Sequence, residues 1–177
     1  GCGKGTQAVL LSERLQIPQF SMGQLLRDAA KGTDELAERI RSIQAKGDLV
    51  PGDIVAEVLR ARLGQPDAAN GYILDGFPRN QGQYDAYAEH DKPTAVIVIH
   101  VPREVSIIRL MSRARLEHRV DDTPEVIAHR LDIYDRDTDP MIEHYRQQGL
   151  VRDVDGEGTI EEVADRIYGV CTMQGGC

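Results

Sequence analysis

Tryptophan is absent from this chain, and cysteine, lysine and long apolar runs are scarce. Each scarcity excludes something. Cys2, Cys171 and Cys177 do not form a spaced framework, so a disulfide-stapled scaffold is excluded and a reducing cytosol is the expected compartment. The longest strand-like apolar stretch, AVIVIHV at 95–101, falls far below membrane-spanning length, which removes a membrane role. With a net charge of −8, no broad basic face is expected to hold duplex DNA or another nucleic acid. The five histidines have no metal-ligand spacing and read as surface residues. Repeats and low-complexity tracts are missing too.

What remains is an ordinary globular balance. The 177 residues, 41% hydrophobic and 28% charged, fit one domain that can bury a core without metal or disulfide support. The basic residues are lopsided, with seventeen arginines against four lysines. Codon bias is the larger cause of that skew. The remainder points to arginine forks for phosphate, which a point-charge lysine serves less well.

Helical and strand patterns alternate along the chain. Helices are expected at 4–16, 24–31, 34–46, 53–63, 103–113 and 123–149, the last opened by Pro124, kinked at Pro140 and stopped by Gly149. Strands are expected at 18–21, 72–75, 95–101 and 150–154. Thr159 and Glu162 form a capping box for a final helix, and the tail 171–177 reads as disordered. Strands parted by helices give an α/β fold, a doubly wound parallel sheet flanked by helices. Residues 21–63 break the rhythm with helices alone and read as an inserted helical subdomain.

The chemistry begins with GCGKGTQ. Gly1, Cys2, Gly3, Lys4, Gly5 and Thr6 can form a phosphate-binding loop, in which glycines let backbone N–H groups converge on phosphate oxygens at a helix start. Lys4 would reach the β- and γ-phosphates, and Thr6 can serve a magnesium ion. The full pattern begins with a glycine two places before Gly1, so residues 1–177 are expected to be a fragment of a longer chain with an apolar strand upstream. LDGFPRNQGQ then follows a strand. Asp75 stands at the strand's carboxyl end, where ligands of α/β sheets gather; taken singly, it reads equally as a turn residue or helix cap. Arg79 follows Gly76 and Pro78 and can lay a fork against a phosphate.

The ordered set GCGKGTQ, IPQFSMGQLLR, GDLVP, LDGFPRNQGQ and RVDD…AHRLDIYDRDTDPMIEHYRQQG resembles the adenylate kinases of the nucleoside monophosphate kinase family, from Gly1 to about Tyr168. The resemblance implies reversible phosphoryl transfer from MgATP to AMP giving two ADP, in adenine nucleotide homeostasis, by a cytoplasmic monomer. It implies one P-loop kinase domain: a core at 1–20, 64–111 and 123–177, a monophosphate-binding insertion at 21–63 and a short lid at 112–122. It also implies roles. Gly1 to Thr6 cradle the ATP phosphates, Arg109 and Arg113 lie on the ATP side, and Gly158 lies beside the ATP base. Arg27 grips the AMP phosphate, and Asp48, Leu49 and Val50 line the AMP site. Gly76, Phe77, Pro78 and Arg79 wrap AMP, and Gln83 reads its adenine edge. Arg119 and Arg130 clamp the transferring group, joining Lys4, Arg79 and Arg113 in catalysis. Magnesium enters with ATP, served by Thr6 and, through water, by Asp75. Without the resemblance, Arg109 and Arg113 read as a solvated helix face, and Arg130 as a helix-surface residue.

Two positions depart from the family pattern. Met22 stands where threonine is common, and offers a soft apolar surface instead of a donor. Gln24 stands where a carboxylate helps hold water around magnesium, which weakens that shell without abolishing it. The lid is too short for a structural zinc site and has no cysteine, so none is expected. Three rival readings are a UMP–CMP kinase, disfavoured by Gln83, a non-catalytic nucleotide-binding module, and a switch-type NTPase.

Overall fold

The computed structural model describes residues 1–88, 91–116 and 123–172. Arg119, most of the expected lid, His90, His118 and the tail residues 173–177 lie outside the described residues. Helix α1 (Lys4–Leu15) leads into strand β1 (Gln19–Ser21), and three helices follow: α2 (Met22–Ala29), α3 (Glu35–Lys46) and α4 (Gly52–Leu63). A 3-10 turn at Pro66–Ala68 precedes β2 (Ile73–Asp75), α5 (Gln81–Ala88), β3 (Val96–His100) and α6 (Arg103–Leu116). The chain ends with α7 (Pro124–Ile133), a π-helical turn (Tyr134–Thr138), α8 (Asp139–Gln147), β4 (Val151–Asp155) and α9 (Ile160–Thr172).

Local chemistry explains the boundaries. Asp34 caps α3 by accepting the Ala37 N–H at 2.7 Å, satisfying an otherwise orphaned donor. Thr123 caps α7 in the same way, with Pro124 at the first turn. The capping box before α9 is reciprocal: the Thr159 N–H donates to Glu162 Oε2 at 2.8 Å, and the Glu162 N–H donates to Thr159 Oγ1 at 3.2 Å.

All strand pairing is parallel, as expected, but among the described residues the strands form two separate pairs, β1 with β2 and β3 with β4. Helix α1 joins them by packing rather than by a ladder. Its Leu11 and Leu15 share an apolar cluster with Ile73 of β2, Ile97 and Ile99 of β3, Val154 of β4, and Val163, Ile167 and Cys171 of α9. A second cluster fills the helical region, with Met22, Leu26, Ile40, Val50, Ile54, Val55 and Leu59 packed against Tyr87. Each such aliphatic chain buried contributes roughly 1.5–3 kcal/mol.

Two expectations need correction. The helix expected over 123–149 runs on through α7 and α8 but carries a π-helical turn before Pro140, where the Asp139 N–H donates to the Tyr134 carbonyl, five residues back. Cys171 and Thr172, expected to be disordered, belong to α9, and Cys171 is buried because it completes the first cluster. Met22 is buried in the helical cluster.

Candidate functional site

Gly3 has φ 87, a left-handed value that glycine adopts without steric cost, and it turns the chain into α1. The unpaired N–H groups of the first helical turn and the positive end of the helix dipole then face the loop's mouth. Lys4 is the first residue of α1, and Thr6 is exposed within its first turn. The loop presses on α6: a Cβ on Gly1 would lie 2.3 Å from the Ser106 carbonyl oxygen. Helix α6 carries Arg109, which is exposed, and Arg113, which is half-buried.

Opposite the loop is the end of β2. Asp75 is its last residue, in register with Ser21 of β1. Its Oδ2 lies 3.4 Å from where a Cβ on Gly5 would stand, and its Oδ1 is buried with no hydrogen-bond partner. Gly76 follows at φ 74. A Cβ there would meet Arg79 Nη2 at 2.6 Å and Lys4 Cε at 3.3 Å, so both cationic chains cross directly above it. Arg79 Nε donates to the Gly76 carbonyl at 2.8 Å, which folds the guanidinium back over the turn.

Electrostatics tie these groups together. Burial, then repulsion from Arg79, lowers the pKa of Lys4; Asp75 opposes the shift and Arg113 adds to it. Burial likewise disfavours the charge on Arg79, with Asp75 opposing and Arg130 and Arg113 adding repulsion. Arginine keeps its proton in proteins, so the cost stays in the fold rather than being relieved by titration. Lys4 and Arg79 thus meet above Gly76 beside Asp75, with Arg113 acting on both and Arg130 on Arg79. Such a cluster favours a bound polyanion.

The remaining predicted residues belong to several other elements. Gln83 is buried; its Oε1 accepts the Arg79 N–H at 2.9 Å and its Nε2 donates to the Val50 carbonyl at 3.0 Å. It thereby ties the 76–79 turn to the 48–50 segment. Asp48 Oδ1 lies 2.7 Å from His129 Nε2, linking that segment to α7, and Leu49 is half-buried between them in sequence. Phe77 packs edge-on against Tyr87 with ring centroids 5.4 Å apart, and Pro78 follows through a cis peptide bond. Arg27 lies on α2, where its Nη2 donates to Gln24 Oε1 at 2.9 Å, so the departure at Gln24 puts a neutral acceptor beside that arginine. Gly158 has φ 112, and a Cβ there would meet Glu162 Oε2 at 2.5 Å, inside the capping box.

Magnesium can be tested against these residues. Among the described residues no group of three or more His, Cys, Asp or Glu could hold a metal on its own. Magnesium carried on phosphates needs only one or two protein oxygens and keeps several waters. The unpartnered buried Oδ1 of Asp75 and the exposed Thr6 hydroxyl suit that requirement.

Sequence reasoning missed two residues. Thr138 Oγ1 donates to the Arg79 carbonyl at 3.0 Å from 59 positions away, and only the nearby Pro140 hinted that its helix is irregular. His129 gave no signal, because its partner Asp48 is 81 positions away.

Fold and site together define a nucleotide-type phosphate-binding protein: a glycine loop at a helix start, facing a cationic cluster at a strand's carboxyl end. Comparison with known proteins narrows the class. The family model described as adenylate kinase matches residues 1–150. The adenylate kinase of Xanthomonas campestris pv. campestris strain 8004 is 42% identical over 172 residues, covering 94% of this chain and 92% of that protein. The adenylate kinase of Micrococcus luteus is 40% identical over 172 residues, covering 94% of this chain and 84% of that protein. The chain belongs to the adenylate kinase family.

Proposed function

We propose that this chain catalyses reversible transfer of the terminal phosphoryl group of MgATP to AMP, giving two ADP. The observation that carries the reading is the meeting of Lys4 and Arg79 over Gly76, beside Asp75 and the start of α1. Membership of the adenylate kinase family supports it. In phosphoryl transfer, negative charge spreads over the equatorial oxygens of a loose transition state, so a protein acts by positioning and by neutralising charge. The AMP phosphate is already an anionic nucleophile and needs no general base.

The roles divide by position. Gly1 to Thr6 cradle the ATP phosphates, with Arg109, Arg113 and Gly158 on the ATP side. Arg27, Asp48 to Val50, Gly76 to Arg79 and Gln83 serve AMP. Arg119 and Arg130 clamp the transferring group with Lys4, Arg79 and Arg113. Bound magnesium would neutralise β- and γ-phosphate oxygens; Thr6 and Asp75 would hold its shell. Residues 1–177 act as one kinase domain, with 21–63 as the monophosphate-binding insertion and 112–122 as a short lid. No helix among the described residues is long and apolar enough to cross a membrane. A cytoplasmic monomer acting on ATP, AMP and ADP, without nucleic acid, completes the reading.

The test is ADP formation from MgATP with AMP, CMP or UMP as acceptor. The reading expects ADP with AMP and much slower transfer to the pyrimidine nucleotides. Nucleotide binding without transfer to any acceptor would contradict it.

A further inference from the structure

Arg79, the arginine assigned above to the transferring group, is held at three points. Its side chain folds back on the Gly76 carbonyl, and its N–H is taken by Gln83. Its own carbonyl accepts the third bond, from Thr138 Oγ1 at 3.0 Å. Gln83 already belongs to the nucleotide-facing set. Thr138 does not. It comes from a different element and was given no role in the sequence analysis.

Its setting is unusual for a threonine. A helical threonine commonly bonds a carbonyl of its own preceding turn. Here Thr138 is buried, at 9% exposure, and its hydroxyl reaches another part of the chain instead. The π-helical turn explains how. Thr138 is the last residue of Tyr134–Thr138, in which one ladder bond skips a residue. The added residue shifts the phase of the helix beyond it. That shift lets one continuous helical segment present two things to the same loop. Arg130, before the turn, acts on the Arg79 charge, and Thr138, at its end, holds the Arg79 peptide.

The consequence is mechanical. The guanidinium of Arg79 has Arg130 and Arg113 as like-charged neighbours and Asp75 as an opposite charge. Within its own turn it is held by the bond to the Gly76 carbonyl, beside the attraction of Asp75. Fixing the peptide at both N–H and carbonyl keeps the side chain over Gly76 before any anion arrives. A preorganised donor is worth more to a charged transition state than one that must be gathered.

We propose that Thr138 is a positioning residue for Arg79, its hydroxyl anchoring the Arg79 carbonyl so that the guanidinium stays aimed at the transferring phosphoryl group. The inference rests on the role given to Arg79 above.

The test is a double-mutant cycle in the full chain, reading kcat, the KM values for AMP and ATP, and the melting temperature. Thr138→Val keeps the shape and removes the hydroxyl, and should lower kcat about tenfold by releasing the part-buried Arg79 carbonyl, with the ATP KM unchanged. Thr138→Ser restores the hydroxyl and should restore most of kcat. In an Arg79→Ala background, Thr138→Val should cost no further kcat, because the interaction it supports is already gone. The same fold-loss in both backgrounds would overturn the inference while leaving the role of Arg79 intact. Parental turnover in Arg79→Ala itself would overturn that role and the inference with it. If Thr138→Val does not fold, Thr138→Ser and Thr138→Ala make the comparison, and equal kcat in those two would also overturn it.

Discussion

Gln83 carries two demands at once. The resemblance assigns it the adenine edge, and the structure gives its amide two backbone partners, the Arg79 N–H and the Val50 carbonyl. An amide has four hydrogen-bonding positions, so two remain for a ligand. Gln83→Leu should therefore do two things. Each buried group it orphans costs about 1–3 kcal/mol, so urea unfolding should shift to lower denaturant. The AMP KM should also rise, and the preference for AMP over CMP should flatten. Unchanged stability would contradict the clasp, and an unchanged AMP-to-CMP ratio would contradict the specificity role. At this scale the sequence was legible where residues act within a short motif. Lys4, Asp75 and Arg79 stand close to glycines that mark their turns. Thr138 and His129 were not legible, because each acts on a partner that only the fold brings near.

At the scale of elements, boundaries followed from caps. The Thr159–Glu162 box was written in four letters and forms as two reciprocal bonds. Thr159→Ala should destabilise the chain by about 0.5–2 kcal/mol, measured by denaturant unfolding. Loss of less than a few tenths would show that Glu162 alone suffices. The π-helical turn had no such signature. Pro140 announces a disturbance, because it lacks an N–H for the carbonyl four residues back. Whether the helix answers with a kink, a break or an added residue depends on what it packs against. Here the added residue delivers Thr138 to Arg79. Cys171 teaches the same lesson in reverse. Its glycine-rich surroundings suggest a loose end, yet the apolar cluster with Leu11 and Val154 draws it into α9.

Over the whole molecule, the two parallel strand pairs are linked by α1 through one apolar cluster, while the second cluster fills the helical region. The alternation of helix and strand foretold the parallel direction, but not that packing against α1 would link the pairs. The start of α1 is also where the cations gather, so the site lies at that junction. Its central requirement is that buried positive charge be kept there for the substrate. Lys4 shows the cost, since burial and neighbouring arginines push its pKa down. A lysine pKa lower in the folded state means that the unfolded chain binds the proton more tightly. The charge then works against stability below the folded pKa, and stability rises as pH climbs through it. Removing that charge should relieve the fold while disabling the chemistry. The most direct measurement is therefore turnover of Lys4→Met with MgATP and AMP at neutral pH, alongside its melting temperature. The account predicts that turnover falls by ~10²–10³ while the melting temperature is equal to or above that of the parent. Turnover within a few-fold of the parent would contradict it.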